Sequence, residues 1–361
     1  MSPCRVRRRP VPQADRDQAA GDQAAHGQAA HDQTGRDQAG RNHIGLVLGA
    51  GGVVGAAWMT GALRAVQDRL PCALGDVDLI VGTSAGSVLA AALRCGVNIE
   101  QMIALQRGEF VRELRGAGVR DLDDGPLPPR PQLRVGSPRL MLTALLAPHR
   151  VHPGVGASAW LPLGRARHEA LRATVQALQQ RSGQASTDWA DGRTWMVAVD
   201  YDSGQRVIFG DEGAPPASLA DAVVASCSIP GWYAPVVIGG RRYVDGGVRS
   251  ATSLSTLAGT GIREVYVLAP MASVEPDRPV RQTERLERRL RRLITRSLLR
   301  EAAVLRTRGI RVVVLTPGPE DLAAMGVNLM DPRRREPALA TSLRTSAAAL
   351  AASEAGEPWV A

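Results

Sequence analysis

The 361-residue chain has no lysine: all 44 of its Lys+Arg positions are arginine. It is also poor in aromatics, with two Phe, four Tyr and six Trp, or 3% of the chain. Repeated stacking platforms for bases or sugars are therefore not expected, and neither is a nucleic-acid partner. The four cysteines, Cys4, Cys72, Cys95 and Cys227, show no CxxC spacing, which excludes a zinc ribbon and a disulfide scaffold and fits reduced thiols. No apolar core follows the basic start MSPCRVRRRPVPQADRDQ, so a secretory signal is not indicated and a cytoplasmic location is expected.

What is present is a 44% hydrophobic content, enough for one large or two ordinary domains with a core built on Ala, Val, Leu and Gly. The net charge of +9 by itself points to an anionic partner such as a membrane surface or nucleic acid. Arginine bias combined with abundant Ala and Gly is also what GC-rich coding produces. Residues 17–41 repeat a polar five-residue unit (DQAAG, DQAAH, GQAAH, DQTGR, DQAGR), and 1–43 is expected to be a disordered low-complexity tail.

Ile44–Leu63 is uncharged for about twenty residues, long enough to span a bilayer, yet six of those positions are glycine. A strand over Ile44–Leu48, a Gly turn and a helix from about Val54 to Arg69 fit better, because a lipid-exposed turn would leave backbone groups unsatisfied. The pattern returns at once with an apolar run at Val77–Val81, a tight turn at Gly82–Gly86 and an Ala/Leu-rich helical run at Ser87–Cys95. Two successive strand–turn–helix units predict an α/β fold with a mostly parallel central sheet. Further strands are expected at Thr194–Val199, Gln205–Phe209, Gly261–Leu268 and Ile310–Leu315, and a helix at Ser218–Ser226. Residues 116–162 carry no sustained period and read as a variable insertion or lid. The arginine-rich helix expected over 281–306 would either pack on its own domain or rest on anionic lipid.

Gly82-Thr83-Ser84-Ala85-Gly86 is a GxSxG sequence between a predicted strand and a predicted helix, the context of a nucleophile elbow, and makes Ser84 the candidate nucleophile. A serine needs a base. The Ser–acid–His order of α/β-hydrolases is excluded, because no histidine follows His168. His149, His152 and His168 remain, but loop or surface roles are expected for each. Asp245, in Tyr243-Val244-Asp245-Gly246-Gly247, is the strongest acid, able to act as general base if burial raises its pKa. Asp-Gly-Gly is equally a common turn. The loop Gly49-Ala50-Gly51-Gly52-Val53-Val54-Gly55 has two readings: backbone N–H groups aimed at an oxyanion, or a pyrophosphate cradle with Asp68 about twenty residues on.

Taken in order, the loop 49–55, Gly82–Gly86 and Ser226-Cys227-Ser228-Ile229-Pro230-Gly231 running on to Asp245-Gly246-Gly247 resemble the patatin-like phospholipase family. The resemblance implies a three-layer α/β/α domain over 44–330 followed by a helical segment at 331–361. It implies a serine lipid acyl hydrolase of phospholipase A or esterase type, without metal or organic cofactor and in peripheral contact with membranes. Ser84 would be the acylated nucleophile, Asp245 the base, and N–H groups around Gly51 and Gly52 the oxyanion hole. Gly49, Gly55, Gly82, Gly86, Gly246 and Gly247 are the motif glycines. Two positions depart from the family: Val54 stands where a basic residue is usual, and Thr252 and Ser253 stand where Asn often follows the Asp-Gly-Gly. The readings left open are a dinucleotide-binding oxidoreductase using the 49–55 loop and a non-catalytic membrane-binding module.

Overall fold

The computed structural model describes residues 43–112, 130–183, 189, 192–277, 279 and 281–354. The tail expected at 1–43 lies, but for His43, outside them. The chain runs β1 (Ile44–Leu48), α1 (Gly52–Gln67), β2 (Leu79–Thr83), α2 (Ala85–Arg94), α3 (Ile99–Gln106), α4 (Pro138–Leu146), α5 (Pro153–Ser158) and α6 (Glu169–Arg181). It continues with β3 (Arg193–Asp200), β4 (Arg206–Phe209), α7 (Leu219–Cys227), β5 (Val236–Ile238), β6 (Arg241–Asp245), β7 (Glu264–Leu268), α8 (Gln282–Thr307), β8 (Arg311–Leu315), α9 (Pro319–Met325) and α10 (Arg335–Glu354). Eight strands form one sheet in the order β5-β6-β3-β2-β1-β7-β8, with β4 also paired to β3. The strands from β3 to β8 in that order are parallel neighbours, and β4, β6 and β5 are antiparallel.

The central strands are apolar almost throughout because helices cover both faces. Successive side chains of a strand point to opposite faces, and the core divides accordingly. Leu46, Leu48, Ile80, Met196, Ala198, Tyr266 and Leu268 pack with α1, α2, α3, α6, α7 and α10. Val47, Leu79, Val81, Trp195, Val197, Val265 and Val267 pack with Leu298, Ala302 and Leu305 of α8. The result is the expected three-layer α/β/α architecture. A third cluster sets Leu140 of α4, Val155 of α5 and Val151 just before α5 against Val199, Tyr201 and Val244.

Several boundaries differ from expectation. The second strand was expected at Val77–Val81 but starts at Leu79. Asp78 is used instead to bond β1, its carboxylate accepting the Ile44 N–H at 2.8 Å. The insertion, expected to be irregular, contains α4 and α5 in its described part. Ser137 caps α4 by accepting the Leu140 N–H, and Pro138 occupies the first turn. Helices of nine and six residues fall short of the window in which a helical period shows. The uncharged stretch Ile44–Leu63 is β1, a turn and most of α1, and among the described residues no helix is long and apolar enough to cross a membrane. Cys95 and Cys227 are buried free thiols, as expected.

Helix α10 is a structural part of this body. A Cβ on Gly61 of α1 would lie 2.7 Å from Ser342, and the Ser342 hydroxyl donates to the Trp58 carbonyl at 2.6 Å. The 26-residue α8 buries Arg291, Thr295, Leu298, Ala302 and Leu305, so one face packs on its own domain.

Candidate active site

Ser84 follows β2 directly and starts α2 with φ 53° and ψ −123°, a conformation that residues with a side chain seldom adopt. Three contacts hold it there. Its N–H donates to Ser226 Oγ at 2.9 Å, and the Ser226 hydroxyl donates to the Val197 carbonyl at 2.6 Å. Its own carbonyl accepts from the Ser87 N–H at 2.8 Å and from the Ser87 hydroxyl at 2.7 Å. Strain of this kind persists only where the surroundings over-determine it.

The flanking glycines are required by crowding. A Cβ on Gly82 would stand 2.5 Å from Ser87 Cα, and one on Gly86 would overlap the Leu48 carbonyl oxygen. Both obstacles are backbone, so neither can swing aside. Gly86→Ala is expected to cost about 3 kcal/mol through overpacking, read as a lower denaturant midpoint with unchanged slope. A midpoint equal to wild type would show that β1 can move away.

Asp245 ends β6 and pairs in register with Ala198, while Thr83 pairs with the neighbouring Val197. The register thus brings Asp245 and the serine after Thr83 to strand ends on either side of β3. Asp245 is 4% exposed, and its pKa is raised to about 6. Burial, which disfavours the charged form, is the dominant cause; hydrogen bonding with the Ser84 side chain and with the Gly247 N–H opposes it. The Gly247 donation spans 2.7 Å. A Cβ on Gly246 would stand 2.5 Å from the Val197 carbonyl oxygen, which explains the first glycine of the pair. Cys227 lies near Asp245, but burial foremost and then the Asp245 charge push its thiol up to about 12, so it is not a competing nucleophile.

Gly51 and Gly52 lie at the N-terminus of α1. Among the described residues neither N–H has a backbone acceptor within hydrogen-bond distance, as befits the free donors of a first helical turn, where the helix dipole favours negative charge. Gly52 takes φ +59°, and a Cβ there would meet the Leu329 carbonyl oxygen at 2.7 Å. Val54 is fully buried in the apolar core, so this position supplies no cation to the loop. Ser253 takes the left-handed conformation at φ 53°, ψ 31°, the region in which Asn is enriched.

Ser84 and Gly52 line a cavity of about 170 Å³ whose other walls include Val88, Leu89, Leu171, Leu178 and Tyr233. His168, expected at the surface, is in fact a cavity residue. Its ring stacks on Tyr233 with centroids 3.6 Å apart, and its Nε2 is 3.0 Å from the Cys227 carbonyl oxygen. Neither this placement nor the role of Ser226 was read from the sequence. Ser226 stands inside the Ser-Cys-Ser-Ile-Pro-Gly block, but nothing local reveals that its partner is 142 residues away.

The family model for patatin-like phospholipases matches residues 46–258, more than half the chain and every motif named above. The chain belongs to the patatin-like phospholipase family. Membership makes it a hydrolase of lipid acyl esters and sets aside both the oxidoreductase and the non-catalytic readings. Among solved structures it is similar to VipD from Legionella pneumophila (15% identity, TM-score 0.42), covering 86% of this chain and 67% of VipD. It is also similar to the type III effector protein ExoU (16% identity, TM-score 0.33), covering 86% of this chain and 53% of ExoU. No curated protein matches it. At these similarities the family assignment rests on the family model and the motifs alone.

Proposed function

We propose that this patatin-like phospholipase cleaves fatty acyl esters of membrane lipids through a Ser84–Asp245 dyad and an acyl-enzyme. The observation that carries the reading is a buried carboxyl with its pKa raised to about 6 by burial and partly lowered again by the nearby Ser84 side chain, that serine being strained and on the wall of an apolar cavity. A carboxylate of ordinary pKa would be a poor base; one near neutrality can take and return a proton at working pH.

In the first half-reaction the Asp245 carboxylate takes the Ser84 hydroxyl proton as Oγ attacks the ester carbonyl carbon. The oxygen that becomes negative is met by the free N–H groups of Gly51 and Gly52. The ester C–O bond then breaks, and the departing alcohol, a lyso-lipid or glycerol, takes the proton from Asp245. Water replaces it, gives its proton to Asp245 and attacks the acyl-Ser84 carbonyl. Collapse frees the fatty acid and returns the proton to Ser84. The acyl chain would lie along Leu89, Leu171 and Leu178, and contact with the bilayer would be peripheral.

Mass spectrometry of products from vesicles of mixed phospholipid and acylglycerol tests this reading. Free fatty acid together with a lyso-lipid from wild-type protein is expected. An absence of both from folded, vesicle-bound protein would overturn it.

A further inference from the structure

We infer that the surface formed by residues 130–168 docks the enzyme on an anionic lipid bilayer. The inference rests on the lipid acyl hydrolase reading for its relevance, but on different residues. This segment contains no Asp or Glu, against six arginines. All six, Arg130, Arg134, Arg139, Arg150, Arg165 and Arg167, are exposed. The same segment holds half of the large apolar side chains exposed among the described residues. Leu142, Leu145 and Leu146 project from α4, Leu146 at 76% exposure. Leu133 and Val135 stand on a ribbon opposite Trp160 and Leu161, joined by backbone bonds from Gln132 N–H to Leu163, from Leu163 N–H to Arg134 and from Gly136 N–H to Leu161. Large exposed apolar groups rimmed by charge mark a contact surface. A set with Trp among leucines, arginines only and no acid matches a headgroup–acyl boundary of negative charge.

Continuity with the catalytic cavity selects the bilayer as partner. Leu161 packs over Gly231. From there the chain leads inward: Arg165 and Ala166 N–H donate to the Trp232 carbonyl, Ala166 bridges Tyr233, and His168 with Tyr233 lines the cavity. A lipid drawn from a membrane at this patch therefore has a short path to Ser84. The exposed leucines of α8, Leu286, Leu290 and Leu293, lack both properties. Their helix carries Glu284 and Glu287, its Arg288 and Arg291 are paired with Asp277 and Glu287, and it covers the opposite face of the sheet from the cavity.

The experiment compares full-length protein with Leu145→Asp/Leu146→Asp and with Leu290→Asp. It measures flotation with phosphatidylglycerol vesicles and, separately, hydrolysis of a monomeric short-chain ester in solution. Wild type is expected to bind anionic vesicles at least tenfold more tightly than phosphatidylcholine vesicles, weakening with salt. The double variant should lose at least tenfold in binding while hydrolysing the soluble ester at the wild-type rate, and Leu290→Asp should bind within twofold of wild type. Wild-type protein that ignores anionic vesicles, or a double variant that binds them normally, would overturn the inference. So would loss of binding in Leu290→Asp alone. Vesicle binding that follows this pattern without hydrolysis of any ester would leave the docking surface standing and defeat the catalytic reading instead.

Discussion

Asp245→Asn is expected to lose about 10³–10⁴-fold in kcat, the usual worth of a general base, and yet to melt at a higher temperature than wild type at pH 7. Both effects come from one buried carboxyl. Its pKa is about 6 in the folded protein against an ordinary carboxyl value of 3.8. Between those values the folded state holds a proton that the unfolded state releases, so stability falls as pH rises through the window. Above it, a difference of some two units corresponds to a cost of about 3 kcal/mol. Asparagine never ionises, and its Oδ1 can still accept from the Gly247 N–H, so the variant avoids that cost. The gain in melting temperature should be small near pH 4 and approach its full size by pH 7, as thermal scans at the two values would show. The wild-type kcat/KM should rise with pH to a plateau above about 6, as the base ionises, and Asp245→Asn should lack that limb. A variant that keeps wild-type turnover would remove Asp245 from the mechanism. An equal stability difference at both pH values would remove its ionisation as the cause.

The second large effect is at Ser84, where two substitutions separate chemistry from strain. Ser84→Ala and Ser84→Gly both remove the proposed nucleophilic hydroxyl, and each is expected to reduce turnover by on the order of 10⁶-fold. Their stabilities should differ. At φ 53° and ψ −123° alanine keeps the steric penalty of a Cβ, whereas glycine adopts the conformation freely. Ser84→Gly should therefore be more stable than Ser84→Ala by about 1–2 kcal/mol, despite the greater freedom of its unfolded chain. Denaturant titration of the two variants measures the difference directly. If alanine proves the more stable, the elbow is not strained in the sense argued. The Ser226 hydroxyl, which anchors the Ser84 N–H, is the group expected to hold that strain in place.

The candidate site was legible because its chemistry is written locally. A serine between two glycines, bounded by an apolar run and an Ala/Leu-rich run, forms an elbow wherever a parallel strand enters a helix. An aspartate before two glycines marks an open strand end. The strands themselves were visible as apolar runs, because a sheet covered on both faces demands them, with ends misjudged by a residue or two where side chains such as Asp78 intervene. Less was legible wherever the determining contact is distant. The short helices α4 and α5 carry too few turns to display a period, and His168 reads as a loop histidine until Tyr233 is placed beneath it.

Residue pattern alone therefore determined the fold class and singled out Ser84 and Asp245 as candidates, since each depends on steric and hydrophobic rules that act over a few positions. Only the tertiary structure decided how that acid behaves. Desolvation of Asp245, the hold of Ser226 on Ser84 and the gathering of exposed leucines beside the cavity all arise from groups tens to hundreds of residues apart. Burial and proximity between such groups are properties of the packed chain, and no local pattern encodes them.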